Sequence, residues 1–106
     1  MHGGYLAEIT SKEETDLLNM FILAEQYHWI GLNDLASPGN WRWQHSYVSA
    51  NYTNWRQGKP NESSTCALID PNYEQTWADF DCLEEYYYSS GHFFHFHALC
   101  EAYNQK

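Results

Sequence analysis

Basic residues are scarce in this chain: 5 Lys and Arg stand against 14 Asp and Glu, a formal net charge of −9 over 106 residues. An acidic surface with no basic patch argues against nucleic acid and anionic membrane as partners, and its simplest role is to keep the protein soluble. No apolar run approaches the roughly 18 residues a membrane span needs, so membrane insertion is not expected. Glycine-rich phosphate loops and H-E-x-x-H helices are missing, and no nucleophile–base pairing is recognisable, so the chain reads as a non-enzyme. Internal repeats and low-complexity tracts are missing too. Met1 is followed at once by His2, Gly3 and Gly4 rather than by the apolar core of a signal peptide, as in a mature or trimmed chain. Cysteine is limited to Cys66, Cys82 and Cys100 with no C-x-x-C pair, so a structural zinc site is not expected. The odd count leaves at least one thiol without a partner inside a monomer.

What is abundant is aromatic: 18% of residues are Phe, Trp or Tyr, including 5 Trp and 9 Tyr, enough to fill a core and still leave rings outside. The length supports one domain over residues 1–106, with little stability to spare. Residues 5–8 read as a short strand. Ser11-Lys12-Glu13-Glu14 is a capping box, in which the Ser11 hydroxyl accepts a first-turn N–H and Glu14 reaches back. Leu17, Leu18, Phe21 and Ala24 follow at helical spacing and mark the buried face of a helix ending near Gln26. His28–Leu32, Trp41–Trp43, Cys66–Ile69 and Thr76–Asp79 read as strands, with a last one from about Phe94 to Ala102. Asn33-Asp34, the Ser37–Asn40 stretch and Asp70–Tyr73 carry turn residues. Regular periodicity is lost from Ser46 to Thr65, a long polar loop region of the kind that usually carries function, and again from Leu83 to Gly91. Strands with one clear helix make the class α+β.

The stretch between Cys82 and Cys100 is rich in rings and imidazoles. Tyr86, Tyr87 and Tyr88 are expected at the surface, where they would stack on a sugar or form a protein-binding patch. On a strand, Phe94, Phe96 and Ala98 would share one face, directed to the core, and His95 and His97 the other. Two such imidazoles with His92 nearby would reach one zinc ion, but no third ligand is fixed beyond the candidates Glu84 and Glu85, and the role of the stretch stays open.

Taken in order, several segments resemble the C-type lectin domain family. Gly4-Tyr5-Leu6-Ala7-Glu8-Ile9, the helix start from Ser11 to Leu18, and Trp29-Ile30-Gly31-Leu32-Asn33-Asp34 open the match. Trp41-Arg42-Trp43 and Asn54-Trp55-Arg56-Gln57-Gly58-Lys59-Pro60-Asn61 continue it; Cys66-Ala67-Leu68-Ile69, Trp77-Ala78-Asp79 with Cys82, and Leu99-Cys100-Glu101 complete it. Each segment is weak alone; their order and spacing over the whole chain make the signal specific. The resemblance implies a C-type lectin-like fold with a long loop region, and a disulfide between Cys66 and Cys82. The family's other disulfide would join Cys100 to a cysteine upstream of His2, and its first strand and first helix have no counterpart here. Truncation is the simpler explanation, and a bond from Cys100 to a partner subunit the alternative.

Sugar-binding members hold a calcium ion in the long loop through a Glu-Pro-Asn or Gln-Pro-Asp triplet, a Glu just before the cysteine and an Asn-Asp pair after Trp. Here the triplet reads Lys59-Pro60-Asn61, Ser64 precedes Thr65 and Cys66, and Ala78 stands before Asp79. An ammonium offers three donors and no acceptor, so only Asn61, Asp79 and, in place of Ser64, Glu62 remain as weak calcium candidates. Calcium takes six to eight oxygens, so no tight binding is expected and no cofactor is assigned. The accessory calcium site of the family is also poor: Asp34 matches one ligand, and Pro38 falls near where an acid belongs. What the resemblance implies is a secreted, extracellular carbohydrate-recognition module binding a sugar or glycoprotein weakly or without calcium, through Lys59, Asn61, Glu62 and Asp79 with Tyr87 and Tyr88 as a stacking wall. Two further readings stay open: a protein-binding lectin-like domain, and a structural subunit of a disulfide-linked oligomer. The sequons Asn51-Tyr52-Thr53 and Asn61-Glu62-Ser63 support secretion weakly, and a glycan on Asn61 would cover the site.

With Cys66 bonded to Cys82, thiol titration in denaturant without reductant should return one free thiol per chain. Three free thiols would contradict the pairing, and a dimer on a non-reducing gel would put the third cysteine into an intermolecular bond.

Overall fold

A computed structural model describes residues 4–20, 26–61, 65–83, 86–89 and 92–102. Strand β1 (Gly4–Leu6) leads to helix α1 (Lys12–Asn19), then β2 (Tyr27–Asn33) and β3 (Arg42–Trp43). After the long loop come β4 (Cys66–Asp70), a 3₁₀ turn at Pro71–Tyr73, β5 (Thr76–Phe80), β6 (Tyr86–Ser89), β7 (His92–Ala98) and β8 (Cys100–Ala102). The larger sheet runs in the order β5-β4-β2-β7-β6, with β3 also on β2, while β1 and β8 form a separate antiparallel pair. β2 and β7 are parallel, with Tyr27 opposite Phe96 and Trp29 opposite Ala98; β4 and β5 form an antiparallel hairpin from Cys66 opposite Phe80 to Asp70 opposite Thr76. The chain thus has the α+β class that its sequence implies.

The helix begins where the capping residues place it. Ser11 Oγ accepts the Glu14 N–H at 3.1 Å, and the Glu14 carboxylate reaches back one residue further than expected, to the Thr10 N–H at 2.6 Å. The inward face differs from the expected one. Leu17 is 56% exposed, and Thr15 and Leu18, three apart on one face, turn inward instead. The described helix closes at Asn19, with Met20 as its C-cap; Phe21, Ala24 and the expected end near Gln26 fall at or against residues 21–25, outside those described.

Gly31 in the Trp-Ile-Gly-Leu segment has a steric reason. A Cβ there would lie 2.8 Å from the Leu6 carbonyl oxygen, because the Gly31 N–H donates to the Ala7 carbonyl and its own carbonyl accepts from Gln44 N–H. Three chain segments meet at one residue without a side chain.

Two expectations for the C-terminal third are corrected. The stretch Leu83 to Gly91 is not irregular throughout: Tyr86–Ser89 pairs with His92–His95 as a hairpin, consistent with the strong strand preference of consecutive tyrosines. The last strand is two strands, because Leu99 changes partners. Its N–H donates to Trp29 on β2 and its carbonyl accepts from Ala7 beyond β1. Phe96 is buried as expected, whereas Ala98, assigned to the same inner face, is exposed where the strand reaches this switch. His97 stands over His28 at a centroid distance of 6.0 Å, and burial holds the His28 imidazole below its ordinary value. The side chains of His92 and His95, and Glu84 and Glu85, lie outside what is described.

The core has two parts. Ile9, Ile30, Leu32, Trp43, Ala67, Ile69 and Trp77 form one, and Tyr27, Leu68, Ala78 and Phe96 the other. The Cys66–Cys82 disulfide ties the start of β4 to the chain leaving β5, and closing a loop of this length contributes roughly 3 kcal/mol through the unfolded state. Asp34, 1% exposed, is the polar counterpart of that tie. Its N–H donates to the Thr65 carbonyl, one carboxylate oxygen accepts the Thr65 N–H at 2.7 Å, and the other accepts the Gly39 N–H at 2.8 Å.

Hydrogen bonds to a charged group are worth about 1.5–3 kcal/mol each. Asp34→Ala is therefore expected to lower the unfolding free energy by about 3 kcal/mol or more in a denaturant titration; a loss below about 1 kcal/mol would mean that Asp34 does not hold the end of the long loop at Thr65 to the turn at Gly39.

Candidate functional site

The long loop docks on the outer edge of β5 through one residue. Trp77 N–H donates to the Asn54 carbonyl and the Trp77 carbonyl accepts from Arg56 N–H, each at 2.8 Å, so residues 54–56 run as a short extra strand. The Trp77 ring is fully buried and meets Trp43, Tyr52 and Trp55 edge-on at 5.8 to 5.9 Å. Edge-to-face pairs of this kind add about 0.5–1.5 kcal/mol each beyond area burial. The loop backbone is therefore positioned before any ligand arrives, which lowers the ordering cost of binding.

From this anchor the chain turns at Gly58, whose φ of 87° suits a residue without Cβ, and Lys59 N–H closes on the Arg56 carbonyl at 2.9 Å. The Lys59–Pro60 peptide is cis. Lys59 Nζ donates to Asn61 Oδ1 at 2.9 Å and lies 3.8 Å from Asp79 Oδ1. Asn61 N–H donates to Asp79 Oδ2 at 3.1 Å. Three of the residues singled out in the sequence, Lys59, Asn61 and Asp79, thus converge, with an ammonium lying against the two side-chain oxygens. Asp79 is fully buried as a side chain and Lys59 21% exposed. One of the three ammonium N–H groups is spent on Asn61, and the Asn61 amide nitrogen is directed by the same bond to be a donor. The arrangement offers hydroxyl-binding donors at its mouth over a buried carboxylate.

Ala78 faces the other way and packs with Leu68, Tyr27 and Phe96, so position 78 serves the core. Both carboxylate oxygens of Asp34 are engaged by backbone N–H groups. Glu62 lies outside the described residues. Tyr87 and Tyr88 are not brought to this site: their strand, β6, is at the opposite edge of the sheet from β5, four strand spacings or roughly 19 Å away. The expected stacking wall beside Lys59 is corrected accordingly; tyrosines adjacent to Cys82 in sequence are carried off by the hairpin.

A second group of residues at the loop was missed in the sequence. Arg56 Cζ sits 3.7 Å above the Tyr73 ring, and its guanidinium is 3.8 Å from Asp70 Oδ2. Burial pushes the Asp70 carboxyl above its ordinary value, opposed by the Asn72 N–H and by Arg56. A signal was present: Arg56 and Lys59 are two of only 5 basic residues in the chain, and both lie in the long loop.

The Lectin C-type domain family matches residues 1–88, and the chain belongs to that family. It is 31% identical over 86 residues to a perlucin-like protein of Mytilus galloprovincialis, covering 76% of this chain and 55% of that one. The C-type lectin domain of murine dendritic cell inhibitory receptor 2, solved in complex with N-glycan, superposes with a TM-score of 0.69 at 29% identity, covering 77% of this chain and 66% of that one. A calcium-independent type II antifreeze protein superposes with a TM-score of 0.66 at 28% identity, covering 76% and 61%. The chain thus spans about half the length of the first curated relative and under two thirds of the antifreeze protein.

Proposed function

We propose that this chain is a secreted carbohydrate-recognition module whose sugar site operates without calcium, the Lys59 ammonium standing where a metal would otherwise hold the ligand. The observation that carries this reading is the 2.9 Å contact of Lys59 Nζ with Asn61 Oδ1, beside Asp79 Oδ1 at 3.8 Å. A calcium ion needs six to eight oxygens. Among the described residues the donor set does not fit it: its oxygens are Asn61 and Asp79, and both already face the Lys59 ammonium, whose charge would repel another cation. The ammonium and the Asn61 amide instead donate to vicinal hydroxyls of a neutral sugar. Likeness to a lectin domain solved with N-glycan supports the ligand class, and likeness to a calcium-independent family member supports the metal-free mode. A glycoprotein surface is the corresponding natural partner. The Cys66–Cys82 disulfide supports an extracellular location, since such bonds persist in oxidising compartments. The described residues at the site are arranged for holding a ligand, with no nucleophile set against a base among them, so we assign no catalysis.

Protein recognition is the second reading, favoured by one observation: among the described residues β6, with its three tyrosines, is the outer strand of the sheet, and its outer edge would accept another chain.

Glycan binding measured on an array or by titration should survive a chelator, and millimolar calcium should leave the melting temperature unchanged. A calcium ligand at 100 times its dissociation constant would stabilise by about 2.7 kcal/mol, a shift of several degrees in a domain this small. Replacing Lys59 and Asn61 together by Ala should weaken sugar binding about tenfold or more, and should also lower the melting temperature, because it leaves the buried Asp79 carboxylate without its cation. Binding that collapses in chelator would overturn the metal-free site, and binding untouched by the double variant but lost on replacing Tyr87 and Tyr88 would move recognition to β6.

A further inference from the structure

The turn after β3 shows apolar side chains to solvent and keeps them there. Tyr47 is 75% exposed and Val48 55%. The turn is tied at several points, so neither folds away. Trp43 N–H donates to the Val48 carbonyl, and Tyr47 N–H to the Trp43 carbonyl. The Glu8 carboxylate accepts the N–H groups of His45 and Ser46, each at 2.9 Å. The His45 ring lies stacked on Tyr5 at 3.8 Å. Tyr47 itself has a φ of 65°, a region that a bulky residue enters only at a cost. An apolar tip held outward in this way marks a surface that something covers.

A cover is encoded three residues further on. Asn51-Tyr52-Thr53 is a sequon for N-glycosylation, and its residues alternate between inside and outside. Tyr52 turns inward, edge-on to Trp77 at 5.9 Å, with its hydroxyl 2.8 Å from that of Thr15. Asn51 and Thr53, on either side of it, are both exposed. The Asn51 side chain makes no hydrogen bond among the described residues, so a glycan on its amide displaces nothing. Val48 and Asn51 are at most about 10 Å apart along the chain, a gap that the first sugars of a glycan span. The apolar face of a sugar ring packs well on an aromatic side chain.

Asn61 heads the other sequon, and its surroundings differ. Its Oδ1 accepts from Lys59 and its N–H donates to Asp79, so a glycan there would stand over the site that these residues form.

We infer that Asn51, rather than Asn61, is the N-glycosylated residue of this chain, and that its glycan covers the Tyr47 and Val48 tip. The inference rests on the secreted, extracellular reading proposed above. The donor is an oligosaccharide carried on a lipid pyrophosphate. The Asn51 amide nitrogen bonds to the anomeric carbon of that oligosaccharide, the carbon–oxygen bond to the pyrophosphate breaks, and the amide proton passes to the departing pyrophosphate, with no change of oxidation state. A bulky, hydrated chain at this place solubilises the surface and keeps the tip from meeting a second copy.

The test uses the chain secreted from eukaryotic cells behind a signal peptide. Release of glycans by an amidase in heavy-oxygen water, followed by peptide mass spectrometry, should place the label at position 51. Asn51→Gln and Thr53→Ala should each abolish that label, and each should raise the fluorescence of a dye that binds apolar surface by about twofold or more. Adding Tyr47→Ser and Val48→Ser to Asn51→Gln should return the fluorescence to that of the glycosylated chain. A chain secreted with the Cys66–Cys82 bond formed and position 51 unmodified, or modified at position 61 instead, would overturn the assignment and leave the sugar site standing. Fluorescence that does not change when the glycan is lost would overturn the cover. Recovery of the chain from its natural source only as a reduced, cytosolic protein would sink the extracellular reading, and the glycan with it.

Discussion

The docking of the long loop onto Trp77 is the interaction on which the rest depends. One indole, fully buried, is surrounded edge-on by Trp43, Tyr52 and Trp55, and its backbone N–H and carbonyl both bond to the loop. Truncating a buried Trp costs about 3–5 kcal/mol, a large part of what a domain of this size has to spend. Every functional element is displaced if it fails. Lys59 is positioned from Arg56, Arg56 from Trp77, and Asp79 from the strand that Trp77 anchors. The disulfide and the Asp34 carboxylate then fix the far end of the same loop, where it returns to β4.

Within that frame the electrostatics follow one pattern. The chain is strongly acidic, yet two of its few cations sit in the loop and each faces an aspartate on the adjoining strands. Lys59 lies 3.8 Å from Asp79, and Arg56 lies 3.8 Å from Asp70. A cation carried on a side chain differs from a bound ion in what it leaves for a ligand. A metal offers open coordination positions for two sugar oxygens at once, whereas an ammonium offers separate hydrogen bonds, each weaker. Such a site gains affinity by adding contacts.

The sequence made much of this legible, but unevenly. Trp29 to Asp34, Trp77 to Asp79 and the Ser11 cap were readable because aromatic and β-branched spacing, turn residues and capping chemistry act over a few residues. The partnership of Lys59, Asn61 and Asp79 was readable only through resemblance, since Asp79 lies 18 residues beyond Asn61 and no local rule joins them. Leu17 was misplaced because, two residues from Thr15, it lies about 200° around the helix on the outer side, and packing against Tyr52 favours Thr15, whose hydroxyl lies 2.8 Å from the Tyr52 hydroxyl. Tyr87 and Tyr88 were misplaced because closeness to Cys82 in sequence says nothing about which edge of a sheet a hairpin reaches. The Arg56 group left only a weak signal, two of the five basic residues in one loop, because its partners Asp70 and Tyr73 come from a strand end and a hairpin turn that no local rule joins to Arg56.

The central claim is that the loop is held by Trp77 and by a side-chain cation, not by a metal. Amide hydrogen exchange of Arg56, Lys59, Asn61 and Trp77, followed in excess chelator and again in millimolar calcium, tests it most directly. The account predicts that these amides are protected to the same degree in both conditions, because their acceptors, the carbonyls of Trp77, Arg56 and Asn54 and the carboxylate of Asp79, are all supplied by the chain itself. Protection that appears only when calcium is added, and disappears with chelator, would contradict it.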